Sequence, residues 1–214
     1  MKQKNLKYLH IGCGDNVLPK PFINIDSRKK KGVLNLKAYP LKFKDNSFDL
    51  VYASHILEHF NKVKVLKVLK EWVRVLKPGG ILRISVPSFD NLSLIYKIDK
   101  NIDNISGPLM GGQTYKDNFH YEIFNQKKLI KLLTNAGLEA IHPWDFRRTI
   151  HSKYWDFSQA TTNEIPISLN LEGRKKILGK SSDYDFKEFN VIFNKLKKDK
   201  KYHKKIRSIL KSIK

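Results

Sequence analysis

The stretch Tyr8–Asp15 reads YLHIGCGD, a short apolar run that ends abruptly in Gly-x-Gly-Asp. Such a run is typical of a buried strand, and the glycines allow either an ordinary turn or a close approach of the backbone to a ligand. A dinucleotide fingerprint needs a third glycine before a helix, but Val17 occupies that position, and Pro19 and Pro21 leave no room for a helix. A pyrophosphate ligand would therefore lack its main anchor.

Short apolar runs continue along the chain at the spacing of an α/β protein. Between them, apolar residues at helical spacing predict two helices, because hydrophobic side chains recur every three to four residues. The strands are predicted at Lys7–Ile11, Phe22–Asp26, Val33–Leu36, Phe48–Ala53, Ile81–Val86, Leu138–His142 and Ile165–Leu171.

The first predicted helix starts at Asn61 and stops at the Lys77–Gly80 break, where proline and glycine end helices. Asn125 is predicted to cap the second helix and Gly137 to end it. Between these helices, from Ser106 to Phe124, the pattern predicts a long loop rich in glycine and aromatic residues.

Alternating strands and helices predict a mostly parallel sheet with helices on both faces. Ligands of such sheets bind at the carboxyl ends of the strands, where the segment after each strand contributes side chains. Asp15 beside the glycines suits a cationic ligand better than a phosphate. Asp26, at the end of the second strand, is placed to accept both hydroxyls of a ribose.

Length and cysteine content set the class of protein. A chain of 214 residues predicts one domain over residues 1–180, followed by a basic, amphipathic helical tail over residues 181–214. No apolar stretch is long enough to span a membrane, and the N-terminus has no signal-peptide pattern. Cys13 is the single cysteine, which fits a reducing compartment. We therefore expect a cytoplasmic protein.

The charge is strongly positive, with 42 Lys and Arg against 20 Asp and Glu, a net of +22. Residues 172–214 hold 15 of the basic and 5 of the acidic residues, so the bias is general but denser in the tail. A lysine-rich composition accounts for this as well as a polyanionic partner does. For the tail itself three roles stay open: docking on an acidic membrane surface, binding RNA, or packing as a solvated helix.

Four segments in this order, LHIGCG, NID, FDLVYASHILEHF and LKEWVRVLKPGGILRISVP, resemble the class I S-adenosylmethionine-dependent methyltransferases. Within that class the sequence is similar to the small proteins of the type-11 methyltransferase domain group, strongly over residues 6–90. The resemblance implies a Rossmann-like sheet of seven strands with the last strand antiparallel, and a first helix that is shortened or missing. It also implies S-adenosylmethionine as the cofactor.

The resemblance implies a set of cofactor contacts around the opening stretch. The first turn would line the methionine part of the cofactor, with Cys13 in a packing role. The acid after the second strand would bind the ribose, the next segment would surround the adenine, and the residues after the fourth strand would lie beneath the cofactor. In this sequence the implied residues are Gly12, Cys13, Gly14, Asp26, Asn35, Leu36, Ser54 and His55.

Methyl transfer to a hydroxyl or an amine also requires that the acceptor lose a proton, and histidine is the natural base. His120 in the aromatic loop is predicted as this base or as an acceptor contact, with Tyr121 and Asp90 as further candidates. His55 and His59 flank Glu58 at the spacing of paired metal ligands, but no third ligand is apparent. We therefore expect no metal.

The acceptor class is constrained by the residues after the fourth strand. Enzymes that methylate the amino groups of nucleic-acid bases, and some that methylate protein amides, carry Asn/Asp-Pro-Pro-aromatic there, whereas this chain has ASHI at Ala53–Ile56. The resembling group is associated with surface polysaccharides, which implies O-methylation of a sugar hydroxyl on a glycan or glycan precursor. Nucleic acid is the less favoured acceptor.

The alternatives are a methyltransferase for RNA or a ribosomal component, and a non-catalytic relative. The oligomeric state is left open.

Overall fold

The computed structural model describes residues 6–177, and its centre is a sheet of seven strands. The strands of this sheet are β1 (Tyr8–Ile11), β2 (Phe22–Asp26), β3 (Leu34–Asn35), β4 (Phe48–Ser54), β5 (Leu76–Pro87), β6 (Leu138–Pro143) and β9 (Ser168–Lys175), and a separate pair consists of β7 (Thr161–Thr162) and β8 (Ile165–Pro166). The order across the sheet is β3-β2-β1-β4-β5-β9-β6. β9 runs antiparallel to both of its neighbours and the other pairs are parallel, so the predicted seven-stranded topology is confirmed.

Four α-helices accompany the sheet within these residues: α1 (Lys62–Val75), α2 (Phe89–Asp99), α3 (Asp103–Met110) and α4 (Gln126–Asn135). The two predicted caps are confirmed. The side chain of Asn61 accepts from the backbone N–H of Lys64, and that of Asn125 accepts from the N–H of Lys128. These bonds satisfy backbone donors that the first helical turn leaves unpaired.

One face of the sheet is covered by α1 and α4. Trp72 and Leu69 of α1 and Leu133 of α4 are fully buried against alternate strand residues such as Leu9 and Val51. This helical layer forms the main hydrophobic core. This layer holds the strands in place, and the loops of the candidate site continue from the carboxyl ends of those strands.

The opposite face is covered differently, because no helix connects β1 to β2. The side-chain amide of Asn24 instead pairs with both the N–H and the C=O of Leu18, at 3.0 and 2.7 Å, and its oxygen also contacts His10 Nδ1 at 3.1 Å. These bonds replace the missing helix by holding the connection flat on the sheet, with Leu18 packed against Phe22 and Tyr52. The shortened first connection is confirmed.

Residues 143–160 complete the cover of this second face. Trp144 packs on Tyr52 and donates to the carbonyl of Ile84 at 3.0 Å. The hydroxyl of Tyr52 donates to Asp156 at 2.5 Å, and burial raises the pKa of that phenol far above its usual range. Apart from 3₁₀ turns such as Phe146–Arg148, this segment is irregular and contributes no α-helix to the cover of this face.

The boundaries differ from the sequence prediction at three places. β5 starts at Leu76 rather than Ile81, because the Lys77–Gly80 segment forms an irregularity within the strand pairing instead of a separate loop. The last strand starts at Ser168, because Pro166 lacks the N–H that a continuous ladder needs.

The third difference lies in the segment predicted as a loop after Asn104. α3 forms there in spite of Pro108, and Ile105 and Leu109 pack with Leu92 and Ile95 of α2. Tertiary packing therefore overrides a local sequence that does not favour a helix.

The predicted tail, residues 181–214, lies outside the described residues, as does the domain boundary at residue 180. Its three open roles stay predictions. Within residues 6–177, no helix has both the length and the apolar character needed to cross a membrane.

Candidate functional site

A cavity of about 1290 Å³ opens at the carboxyl ends of the parallel strands, as the topology requires. It exceeds the usual size of a single ligand pocket, so it has room for a nucleoside cofactor and an acceptor together. Most of the predicted site residues line it. These are Gly12, Cys13, Gly14, Asp26, Leu36, Ser54, His55, His120 and Tyr121.

The first turn places backbone at the cavity wall because two of its glycines have positive φ. Gly12 has φ +62° and Gly14 has φ +53°, values that other residues adopt only with strain. A Cβ on Gly12 would lie 2.1 Å from Cδ1 of Ile56. Gly12 is thus required by packing against the segment after β4, whether or not a ligand touches it.

Asp26 is held at the end of β2 with its carboxylate facing this turn. Oδ2 accepts from the N–H of Gly14 at 2.8 Å, and Oδ1 accepts from the N–H of Arg28 at 2.9 Å and from its Nε at 3.2 Å. A carboxylate has about four acceptor positions, so one is left for a ligand hydroxyl. The Arg28 side chain is half exposed and can move aside.

Two of the predicted cofactor residues, Asn35 and Cys13, stabilise the surroundings of the site. Asn35 is not among the lining residues; its amide donates to the carbonyls of Asp26 and Ser27, at 3.3 and 2.7 Å, which fixes the loop after β2. Burial, with the nearby Asp26 carboxylate, raises the pKa of the Cys13 thiol to about 11. Cys13 is therefore a neutral packing group at neutral pH, as its predicted role requires.

His55 connects the segment after β4 to β9. Its Nε2 lies 2.7 Å from Oγ of Ser168, and that hydroxyl donates to the carbonyl of Phe157 at 2.7 Å. Because the hydroxyl hydrogen is used in this way, Nε2 of His55 must be the donor of the pair. Nδ1 of the same ring faces Oε1 of Glu58 at 3.2 Å.

Glu58 is the functional candidate that the sequence reasoning did not select. Its side chain is fully buried, and His55, His59 and His120 surround it. Burial raises the pKa of this carboxyl, but the three histidines outweigh that effect and the pKa is lowered. The available signal was a carboxylate between two histidines directly after a strand, in SHILEHF.

The loop that carries His120 folds onto this carboxylate. The N–H of Tyr121 donates to the carbonyl of Glu58 at 2.8 Å, and Nε2 of His120 lies 4.0 Å from Glu58 Oε1. Burial lowers the pKa of His120, which keeps the ring neutral near neutral pH.

Aromatic side chains form the rim of the cavity. Trp155 and Phe157 come from the segment between β6 and β9 and contact each other, with ring centroids 5.5 Å apart. Tyr121 also lines the cavity and belongs to the same loop as His120. Asp90 is exposed in the first turn of α2 and does not line the cavity, so its position does not support the predicted acceptor contact.

Comparison with known proteins gives a family-model match over part of the chain and a shared fold. The family model described as a methyltransferase domain matches residues 18–84, which span β2 to β5. No curated protein matches the sequence.

Solved structures with the same fold share little sequence identity with this chain. A SAM-dependent methyltransferase from Thermotoga maritima is 19% identical with a TM-score of 0.52, over 79% of this chain and 82% of that one. The 1,6-didemethyltoxoflavin-N1-methyltransferase of Burkholderia thailandensis, solved with S-adenosylhomocysteine, is 16% identical with a TM-score of 0.50, over 79% and 71%. The methyltransferase in a complex with the Trm112 activator from Haloferax volcanii is 12% identical with a TM-score of 0.51, over 84% and 86%.

The solved structures support the fold. The family model supports methyl transfer as the chemistry of residues 18–84, which include cavity-lining residues. The cofactor of this family is S-adenosylmethionine. The glycine turn, the free acceptor position on Asp26 and the size of the cavity all fit a cationic nucleoside without phosphate. The chain matches a methyltransferase domain over residues 18–84 and has the fold of SAM-dependent methyltransferases.

Proposed function

We propose that this methyltransferase methylates a hydroxyl group of a sugar, on a glycan or a glycan precursor. The observation that carries the proposal is the composition of the cavity wall, which is aromatic at the mouth and balanced in charge. When bound, S-adenosylmethionine supplies a methyl group on a sulfonium centre. Gly12, Gly14, Asp26 and Leu36 line the cavity and would hold it.

The charge of the cavity differs from that of the whole chain. Its lining residues include four Asp and four Lys or Arg, which is an even balance, whereas the chain carries +22. A polyanion such as RNA binds through an excess of positive charge along its path. A balanced wall therefore favours a neutral acceptor at the reaction centre. The four acidic residues are Asp15, Asp26, Asp117 and Asp156, and the four basic ones are Arg28, Lys37, Lys64 and Lys116.

The rim offers flat apolar surface where an acceptor would enter. Four aromatic side chains line the cavity and are each exposed by 51 to 60%. Exposed aromatic groups at a cavity mouth mark ligand-binding surface, and their faces suit the C–H faces of a sugar ring. The four are Tyr115, Tyr121, Trp155 and Phe157.

In this proposal, His120 takes the proton that the acceptor hydroxyl loses. Its Nδ1 lies 2.8 Å from the carbonyl of Pro108, so Nδ1 carries the hydrogen and Nε2 keeps a lone pair. The Glu58 carboxylate, 4.0 Å from Nε2, stabilises the imidazolium that forms when Nε2 accepts a proton. Tyr121, in the same loop, is placed to contact the acceptor.

Loss of the Asp26 carboxylate should weaken S-adenosylmethionine binding. A hydrogen bond to a charged group contributes about 1.5–3 kcal/mol, so we expect the Kd of Asp26→Ala to rise about 10- to 150-fold in calorimetric titration. Asp26→Asn retains an acceptor for the Gly14 N–H and should show a smaller loss in a folded protein. Asp103→Ala removes an exposed carboxylate in the first turn of α3, outside the cavity lining, and serves as the control. Equal binding by Asp26→Ala and the wild type would remove Asp26 from the cofactor site.

The acceptor class can be tested with radiolabelled S-adenosylmethionine. The acceptors to compare are nucleotide sugars, lipid-linked sugars, purified polysaccharide and total RNA. We expect label in the sugar fractions, insensitive to nuclease and only weakly dependent on salt. Label that disappears with nuclease and falls steeply with salt would instead assign RNA as the acceptor. Cofactor binding without any labelled product would favour a non-catalytic relative.

A further inference from the structure

We propose that Glu58, His59 and His120 bind a divalent transition-metal cation at the floor of the cavity. One ligand atom from each of these residues lies within 4.8 Å of the other two. Two imidazoles and one carboxylate form a donor set that catalytic zinc sites use. The ion site itself does not depend on the proposed acceptor, but its role in the reaction rests on the proposed function.

The two histidines are oriented as metal ligands are. Nδ1 of His59 lies 3.0 Å from the carbonyl of Phe119, and Nδ1 of His120 lies 2.8 Å from the carbonyl of Pro108. A carbonyl only accepts, so both Nδ1 atoms carry the hydrogen and both Nε2 atoms keep lone pairs. Metal-binding histidines are typically held by such a bond from the other ring nitrogen.

Glu58 adds a buried negative charge to these lone pairs. Its side chain is fully buried, and within residues 6–177 neither carboxylate oxygen has a well-directed hydrogen bond, although His55 Nδ1 lies 3.2 Å from Oε1. An ionised carboxylate in this position is costly unless it is paired. A cation between Glu58 and the two Nε2 atoms would satisfy all three acceptors at once.

The distances permit binding with a small inward movement. A tetrahedral ion with ligands at about 2.1 Å holds them about 3.4 Å apart, so ligand atoms that are now up to 4.8 Å apart must close by up to about 1.4 Å. The backbone already fixes the loop that carries His120. The N–H of His120 donates to the carbonyl of Met110 at 3.0 Å. The backbone at Gly111 and Asn118 is also closely packed, because a Cβ on Gly111 would lie 2.4 Å from the carbonyl oxygen of Asn118.

The open side of this ion would face the acceptor. His59 and His120 both line the cavity, while Glu58 lies behind them, so the remaining coordination position points into the space shared with the acceptor. A hydroxyl oxygen bound there has a lowered pKa. Its proton passes to solvent water at the mouth, and the electron pair stays on the oxygen for methyl transfer. With the ion bound, His120 acts as a ligand instead of a base.

Metal binding can be tested on the untagged full-length chain after treatment with a chelator. Calorimetric titration with Zn²⁺ and Mn²⁺ should give about one ion per chain, and Mg²⁺, which prefers oxygen donors, should bind at least about tenfold more weakly. Co²⁺ should produce visible d–d absorption that Zn²⁺ displaces. Neither measurement needs a methyl donor or an acceptor, so failure of this site and failure of the proposed function are distinguishable.

Variants assign the ion to these residues. Glu58→Gln and His120→Ala should each weaken binding at least about tenfold, with folding checked by circular dichroism. His142→Gln is the matched control, because His142 Nε2 lies 3.1 Å from Glu172 Oε1 in a histidine–glutamate pair outside the cavity. Absence of binding by the folded wild type, or equal binding by the wild type and both site variants, would overturn the proposal.

Discussion

Replacing His120 with alanine should lower kcat about 10²- to 10⁴-fold and leave the Kd for S-adenosylmethionine nearly unchanged. The ring lies between the Pro108 carbonyl and the Glu58 carboxylate, whereas the glycine turn and Asp26 are the proposed cofactor contacts. A group that acts on the acceptor proton affects turnover far more than cofactor affinity. The measurement is steady-state transfer to the acceptor that the labelling screen identifies, with calorimetry for the cofactor.

Two controls separate this role from a structural one. His142→Gln removes a histidine on β6 outside the cavity and should retain full turnover. Added imidazole should restore part of the activity of His120→Ala, because it can enter the space that the ring vacates. If His120→Ala keeps the wild-type kcat, the proton leaves by another route. An equal loss of cofactor affinity would make the residue a packing group.

Acidification should destabilise the fold through two buried histidines. His10 and His151 both pack against Tyr52, with ring centroids 5.1 and 4.4 Å from its ring, and burial lowers the pKa of each histidine to about 4. Both rings are neutral in the folded chain above that pH, whereas the unfolded chain takes up protons as pH falls through about 6.5. The contribution of these two histidines to the free energy of unfolding is therefore fully present above about pH 6.5. It is lost as the pH falls from about 6.5 to about 4, by roughly 3 kcal/mol for each histidine.

Urea unfolding at about pH 7 and about pH 4.5 measures this loss. Within the described part of the chain, both nitrogens of His151 lack a hydrogen-bond partner and the ring contacts Phe22, so His151→Phe suits the site sterically. This variant should lose about half as much stability on acidification as the wild type. His142→Gln should not reduce the loss, because contact with Glu172 raises the pKa of His142 and its contribution has the opposite sign. An identical pH dependence of His151→Phe and the wild type would contradict the assignment.

The topology of the sheet could be predicted because it rests on local and repeating signals. Short apolar runs such as Phe48–Ala53 alternate with amphipathic helices, and Asn61 and Asn125 cap helices by contacts only three residues away. Pro19 and Pro21 excluded a helix between the first two strands. The edge of the sheet where the cavity opens then follows from the parallel order of the strands.

The helices around residues 89–110 could not be read in the same way. Pro108 argues against α3, and only the contacts of Ile105 and Leu109 with α2 stabilise it. Likewise, nothing local shows that Asn24 holds Leu18 in place of a helix, because the two groups meet only when the chain folds back.

The sequence by itself determined the sheet, the glycine turn, the acid at the end of β2 and the family to which they point. Only the tertiary structure decided that Glu58 is buried among histidines and that His120 lies beside it, 62 positions along the chain. It also decided that the cavity wall is balanced in charge although the chain is strongly basic. Strand and cap signals act over a few residues, whereas burial, pKa and the direction of a lone pair depend on groups that only folding brings together.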